Sequence, residues 1–332
     1  MTLAAPDEQL HAVPAGAEHW QENLFFICWS PAIETGLLCH VQRVPDLGVQ
    51  AVQVAVAVGG AFASATIEAP FDARALIPEL TFEVVRPFHE WRLRLDAKGT
   101  AGRGPLGFFG VRDGGDVPFG FDVTLESALP VVDFAAGLAD IVAGMRGNSS
   151  FPQMGDQQHY EQGGTWAGRL SVGTRDAEAR GLFVRDHSWG ARHEQRGFKA
   201  FWTASCLDEG RVFCNAIGIP TGGRALGIGA VATPDGVTFT SHVAAYFGPA
   251  PGIGAYNRTS VSYGPPLNQV LSATTGVHVP ITLPHSGPRR YDNNAISTVR
   301  MGTATGFGVM EWAAVLSDAE AGALEGQLEP SR

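Results

Sequence analysis

The sequence predicts an all-β protein built as two β-domains with one crossover helix between them. Three observations carry that expectation. The 42 glycines and 21 prolines are scattered as punctuation rather than gathered into low-complexity tracts. Between them lie short runs rich in Val, Ile, Leu, Phe and Thr, the residues that suit a pleated, half-buried surface. At 332 residues the chain also exceeds the roughly 100–150 of a typical domain, so two units are the natural expectation.

Before residue 130 the strand candidates are 24–29, 37–44, 52–58, 80–85, 91–95 and 121–125. The run 131–145 is interrupted only by Gly137 and Gly144 and sets Val132, Ala136, Leu138 and Val142 near helical spacing, which predicts the crossover helix. Residues 146–158 are polar with Gly and Pro, as in a linker or lid. The second strand set is 165–172, 181–185, 200–207, 212–219, 225–232, 237–246 and 297–315, the last divisible into two strands around Gly302. Residues 249–294 are rich in Gly and Pro with Tyr256, Tyr263 and Tyr291 among them, and read either as a loop covering a barrel mouth or as ordinary connections. The expected boundaries are 1–130 for the first β-domain, 131–156 for helix and linker, and 157–332 for the second. Each half opens with a faint echo of the other, His19-Trp20-Gln21-Glu22 and His159-Tyr160-Glu161-Gln162.

Hydrophobic residues make up 45% and charged residues 17%, which fits a large core and excludes disorder. Net charge is −10 with only 23 Lys and Arg, and no basic cluster exists to track a phosphate backbone or an anionic leaflet. Nucleic acid is therefore not an expected partner, and neither is stable membrane association. No run reaches the roughly 18–20 apolar residues of a spanning helix, and Met1 to His19 lacks a cationic start followed by an apolar stretch, so the chain reads as soluble and cytoplasmic. Oligomeric state is not legible. Cys28, Cys39, Cys206 and Cys214 show no C-x-x-C spacing and read as core thiols.

The densest chemistry is Arg185-Asp186-His187-Ser188-Trp189-Gly190. Strand alternation sends His187 and Trp189 to one face and Asp186 and Ser188 to the other, so one pair is expected to be functional and the other structural. Glu22 and Glu161 are flanked by apolar and aromatic residues, and buried carboxylates are rare unless paired or functional; Arg185, Arg192 and Arg169 are available to pair with them. Glu311 interrupts an apolar strand on the face of Phe307 and Val309. His159 and Tyr160 open the second set. No tight ligand spacing unites His159, His187 and His193, so no metal is expected. No phosphate loop is present, Gly59-Gly60 and Gly222-Gly223 read as turns, and Gly252-Ile253-Gly254 lacks the third glycine of a dinucleotide site, so no cofactor is expected either.

Taken together, Glu22 followed by Leu-Phe-Phe, His159-Tyr160-Glu161-Gln162 leading to Gly168, Asp186-His187-Ser188-Trp189-Gly190 and the closing Gly306-Phe307-Gly308-Val309-Met310-Glu311 resemble the carotenoid 1,2-hydratase and AttH-like family. The Asp-His-x-Trp-Gly element is the specific part. The resemblance implies two lipocalin-like β-barrels and a cofactor-free hydro-lyase acting on a small isoprenoid. In the hydratases the His and Trp of that element are implicated in catalysis, and they match His187 and Trp189. The family then carries a Tyr-x-Asp whose Asp is the proposed proton donor; here the stretch reads Val212-Phe213-Cys214-Asn215-Ala216, which leaves the acid open among Glu22, Glu161, Asp186 and Glu311.

Protonating an alkene needs a carboxyl still protonated near neutral pH, which burial supplies by raising its pKa. An indole such as Trp189 would stabilise the cation, and His187 would take the proton from water. His159, Tyr160 and Glu311 are the expected substrate contacts. The same architecture would equally serve a cofactor-free isomerase or cyclase of a hydrophobic polyene, or a non-catalytic carrier in which Trp189 is a plug and the carboxylates are paired.

Overall fold

A computed structural model describes residues 3–103, 115–134, 157–192, 199–221, 224–249, 256–283 and 290–315. The first sheet comprises β1 (Trp20–Ser30), β2 (Thr35–Val44), β3 (Val49–Val58), β4 (Ala61–Pro70), β5 (Leu80–Arg86), β6 (Glu90–Arg103), β7 (Asp116–Glu126), β8 (Val132–Asp133), β9 (Gln158–Val172) and β10 (Arg175–Ala191). Its order is β10-β1-β2-β3-β4-β6-β7-β9-β8, and a further pairing of β9 with β10 closes it on itself, with β5 attached to β6. The second sheet is a closed barrel of β11 (Lys199–Leu207), β12 (Val212–Thr221), β13 (Arg224–Thr233), β14 (Gly236–Pro249), β15 (Tyr256–Tyr263), β16 (Gln269–Leu283), β17 (Arg290–Met301) and β18 (Ala304–Val315). Every pairing is antiparallel, so each strand alternates between a lumen face and an outer face. The all-β, two-barrel architecture is the one the sequence predicts.

Two features differ from expectation. The second domain was expected to begin at 157, but β9 and β10 pair with β7 and β1 and complete the first barrel, so the passage to the second barrel falls between Ala191 and Lys199. A barrel must close to hide its sheet edges, and β1 and β7 find their missing partners only in this late hairpin. Residues 249–294 were expected as a covering loop or as ordinary connections; where described they are mostly strand, forming the end of β14, all of β15 and β16 and the start of β17, with a turn at 264–268. Barrel closure overrides the Pro and Gly content that argued for loop. The expected division around Gly302 is observed, its φ of +61° being the left-handed turn conformation that glycine adopts without strain. Residues 135–156, which hold most of the expected helix and the linker, lie outside the described residues; Val132–Asp133 form the short strand β8.

The core divides three ways. Leu24, Phe26, Cys28, Val54, Trp91, Phe121, Trp166 and Phe183 fill the first lumen. Phe201, Cys214, Ala216, Val243, Val261, Tyr263 and Met310 fill the second. A third cluster joins the outer faces of both barrels, with Phe25, Ile27, Trp29 and Val184 from the first meeting Trp202, Ala204, Cys206, Phe213, Ile228, Ile296 and Val309 from the second. The four cysteines are free and buried, as core thiols. Among the described residues no helix is long and apolar enough to cross a membrane.

Candidate active site between the barrels

The motif strand β10 and its partner β9 present two separate clusters of polar groups, one on each face. Register places Asp186 opposite Glu161, His187 opposite Tyr160 and Ser188 opposite His159. Directly opposed residues share a face. Tyr160, Arg185, His187 and Trp189 therefore point into the first barrel, and His159, Glu161, Asp186 and Ser188 point toward the second.

The lumen cluster is an ion network. Glu22, fully buried, accepts from His187 Nε2 at 3.0 Å and from His11 Nδ1 at 2.7 Å, and pairs with the Arg43 guanidinium. Burial alone would raise its pKa, but the hydrogen bonds of His11 and His187 and the charge of Arg43 outweigh it and bring the carboxyl down to about 2. Burial lowers the pKa of His187, whose Nδ1 stands 3.0 Å from the Tyr160 hydroxyl. Glu8, carried by the short 3-10 turn Ala5–Glu8, is fully buried. It accepts from Arg185 Nη1 at 3.0 Å, from the Tyr160 hydroxyl at 2.9 Å and from Trp91 Nε1. The Arg185 guanidinium lies 4.3 Å from the centre of the Trp91 ring, and the His11 ring stacks on Trp189 with centroids 3.9 Å apart. The N-terminal segment thus closes this end of the lumen, with each buried charge paired.

The donor atoms of His11, Glu22 and His187 lie within 4.8 Å of one another, a set of the type that takes a divalent ion. Here Glu22 Oε1 already accepts from both rings while Oε2 is held by Arg43, so the carboxylate's oxygens are engaged in a hydrogen-bonded cluster.

The outer cluster has a different character. Glu161 is fully buried and accepts from Trp202 Nε1 at 2.7 Å and from Asn215 Nδ2 at 2.9 Å, both donors belonging to the second barrel. His159 Nε2 stands between two carboxylates, 3.2 Å from Glu161 Oε1 and 3.1 Å from Asp186 Oδ2. The Phe134 ring stacks on His159 with centroids 5.1 Å apart.

Burial, reinforced by the charge of Asp186, pushes Glu161 up to about 7 against the lowering effect of His159 and of the two neutral donors. Asp186 moves the other way. Desolvation would raise it, but His159, Arg192 and His40 together hold it below its ordinary value. Burial would lower His159, and the two carboxylates overcome that and raise it. Two adjacent carboxyls with opposed shifts and a histidine between them form a site equipped to give one proton and take another.

The residues expected as one site are thus divided. Glu161, Asp186 and His159 come together between the barrels, while Glu22, His187, Trp189 and Tyr160 belong to the lumen network. Of the four carboxyls left open as the acid, Glu22 is held down to about 2, where a carboxyl carries no proton at neutral pH. Glu311 is half-buried on the outer face of the second barrel, on the face of Phe307 and Val309 as expected and opposite Trp202 in register. The partner expected for Glu22 among Arg185, Arg192 and Arg169 is Arg43 instead, and Arg185 pairs with Glu8.

Sequence reasoning missed Glu8, His11 and Arg43, because charges that meet only across a barrel mouth leave no local pattern. It also missed Trp202, which alternation with Ala204 and Cys206 on a strand bearing Phe201 could have marked as an inter-barrel residue. Asn215, noted only as a departure from a motif, is the group that hydrogen-bonds Glu161.

Comparison with solved structures finds the same fold. A protein assigned as AttH from Nitrosomonas europaea aligns over 92% of this chain and 98% of its own, at 15% identity and a TM-score of 0.61. Kievitone hydratase from Nectria haematococca aligns over 89% and 88% at 8% identity and 0.53. CghA in complex with Sch210972 aligns over 90% and 89% at 10% identity and 0.51. No curated protein matches by sequence. A family profile described as a domain of unknown function, DUF7064, matches residues 4–315.

Proposed function

The chain belongs to the DUF7064 family, and on the geometry of its inter-barrel face we propose that it is a hydro-lyase adding or removing water at a carbon–carbon double bond without a cofactor. The observation that carries this reading is the pair Glu161 and Asp186, joined through His159, with one carboxyl raised to about 7 and the other held down. A likeness of fold to a protein named as a hydratase supports it.

In the hydration direction the Glu161 carboxyl gives its proton to one alkene carbon, and the other becomes a tertiary cation. Trp202, whose indole donates to Glu161 and whose ring meets Phe25 edge-on with centroids 5.5 Å apart, supplies the electron-rich wall that such a cation requires. Water adds to the cation and its proton passes to the Asp186 carboxylate. His159, within reach of both acids, returns that proton to Glu161, and the balance closes with one water consumed. In this reading the indole beside the acid is Trp202, and His187 and Trp189 act from the opposite face by holding β10 in place. A pure carrier would have no need of a buried carboxyl poised near neutrality.

The test is incubation of a panel of terpenoid alkenes in H₂¹⁸O across pH 5 to 9, with label appearing in an alcohol product. Because the acid must be protonated, turnover is expected to fall as pH rises through about 7. Glu161→Gln should lower it by about 10²–10⁴, the usual cost of losing a positioned acid. Label-free isomerised or cyclised products would replace this reading with the isomerase one; unlabelled, unchanged substrate that nonetheless binds would replace it with a carrier.

A further inference from the structure

Strand register extends the inter-barrel face well beyond the acids. In one row Glu161 of β9 stands opposite Asp186 of β10, Asp186 opposite Phe25 of β1, Phe25 opposite His40 of β2, and His40 opposite Gln53 of β3. In the adjacent row His159, Ser188, Asn23 and Gln42 follow one another across β9, β10, β1 and β2. Their neighbours Leu24 and Val41 belong to the lumen core, while Phe25 belongs to the cluster that joins the barrels. The outer wall of the first barrel beside the acids thus carries amides and an imidazole around Phe25, at the edge of the apolar cluster that joins the barrels.

These side chains are buried, Asn23 at 4% exposure and Gln42 at 3%, and they are only half satisfied. His40 Nε2 stands 3.2 Å from Asn23 Oδ1, and Gln42 Nε2 donates to Gln21 Oε1 at 3.3 Å. Among the described residues Asn23 Nδ2 and Gln42 Oε1 then have no partner, and neither has Asp186 Oδ1. The outer face of the second barrel carries a similar group. Asn294 of β17 lies opposite Glu311 of β18, and Glu311 opposite Trp202 of β11, so Asn294 shares the row of the indole that donates to Glu161. Asn294 is fully buried, and among the described residues both of its amide atoms are without a partner. Buried polar groups are normally paired, and each orphan requires a reason.

We infer that the substrate of this face is oxygenated rather than a plain hydrocarbon. It carries hydroxyl or carbonyl groups at two separated positions, one meeting Asn23 and Gln42 on the first barrel and the other meeting Asn294 on the second, with its alkene held between them at Glu161 and Asp186. The inference rests on the proposed reaction site and names its substrate class. Gln42 and Asn294 are specificity residues, since a site built to hydrogen-bond a hydroxyl leaves its own polar atoms stranded when the hydroxyl is missing.

The test uses myrcene, geraniol and 8-hydroxygeraniol, which share a ten-carbon skeleton and carry no, one and two hydroxyls. Binding to the full chain is read by quenching of tryptophan fluorescence, and hydration is read separately by ¹⁸O incorporation. Affinity is expected to rise at least tenfold from myrcene to the diol. Gln42→Leu and Asn294→Leu should each reduce that ratio at least threefold, by weakening the diol and relieving the cost that stranded polar atoms impose on myrcene, with far-ultraviolet circular dichroism confirming the fold. Equal affinity for the three compounds, no binding of the diol at millimolar concentration, or a ratio untouched by both variants would overturn the inference and leave water as the partner of the orphaned atoms. If the diol is preferred and the variants abolish the preference but no label enters any product, the substrate class stands and the hydro-lyase reading fails. If myrcene and the diol are bound and hydrated alike, the reverse holds.

Discussion

Glu22 and Glu161 are the same residue type, both fully buried in the wall of the first barrel, Glu22 on its lumen face and Glu161 on its outer face, and they sit at opposite ends of the carboxyl range. Glu22 faces Arg43 and two imidazoles and falls to about 2, whereas Glu161 faces an indole, an amide and a shared histidine and rises to about 7. Burial raises both; at Glu22 the hydrogen bonds of His11 and His187 and the charge of Arg43 overcome it, whereas at Glu161 the charge of Asp186 adds to it. The difference has a consequence for stability. A carboxyl whose folded pKa lies below its unfolded value of 4.5 contributes stability that is present above that value and is lost as pH falls toward about 2. For Glu22 this amounts to about 3 kcal/mol. Acid unfolding followed by circular dichroism should show this loss between pH 4.5 and 2 in the wild type, and Glu22→Gln should reduce the dependence, with the share of Asp186 and Asp122 remaining. At pH 7 the same variant should cost about 3–5 kcal/mol in urea denaturation, because Arg43 is left as an unpaired buried charge. A cost below about 1 kcal/mol would show that the lumen network is not the lock described.

At the scale of elements, everything chemical in this protein hangs on the β9–β10 hairpin. Its two strands complete the first barrel by pairing with β7 and β1, and their outer faces supply His159, Glu161 and Asp186. A two-residue period makes this double use possible: His187 and Tyr160 face the lumen while their immediate neighbours face the second barrel. The barrel and the site therefore form together. A fragment ending at residue 156 holds all the strand candidates of the first half yet leaves β1 and β7 as open edges. It should show no cooperative thermal transition and should bind a hydrophobic dye, whereas a fragment ending at residue 192 should melt cooperatively. Independent folding of the shorter fragment would mean that the late hairpin is an addition to a complete barrel rather than part of its wall.

Across the whole molecule the decisive contact is the apolar cluster that joins the barrels, because it removes Glu161 from water and carries Trp202 and Asn215 to it. Gly163 permits the close approach: a Cβ there would lie 2.7 Å from the Phe213 ring and 3.1 Å from Cys206 Sγ. Gly163→Val is expected to cost about 1–3 kcal/mol through overpacking. It should also lower the pKa of Glu161 by admitting water, moving the fall in turnover to lower pH; an unchanged pH profile would argue that the approach of the barrels does not set the acid. Much of this protein is legible from the chain alone. Alternation and punctuation specify an all-β fold, the division of the last strands at Gly302, and the sending of His187 and Asp186 to opposite faces, since all of these depend on local periodicity. The apolar surroundings of Glu161 likewise mark a buried acid. What the chain alone leaves open is which carboxyl is acidic, because the partners that fix its charge lie far away in sequence: Arg43 and His11 for Glu22, Trp202 and Asn215 for Glu161. Only the closing of one barrel and its packing on the next bring those groups within the few ångströms over which a charge or a hydrogen bond can move a pKa.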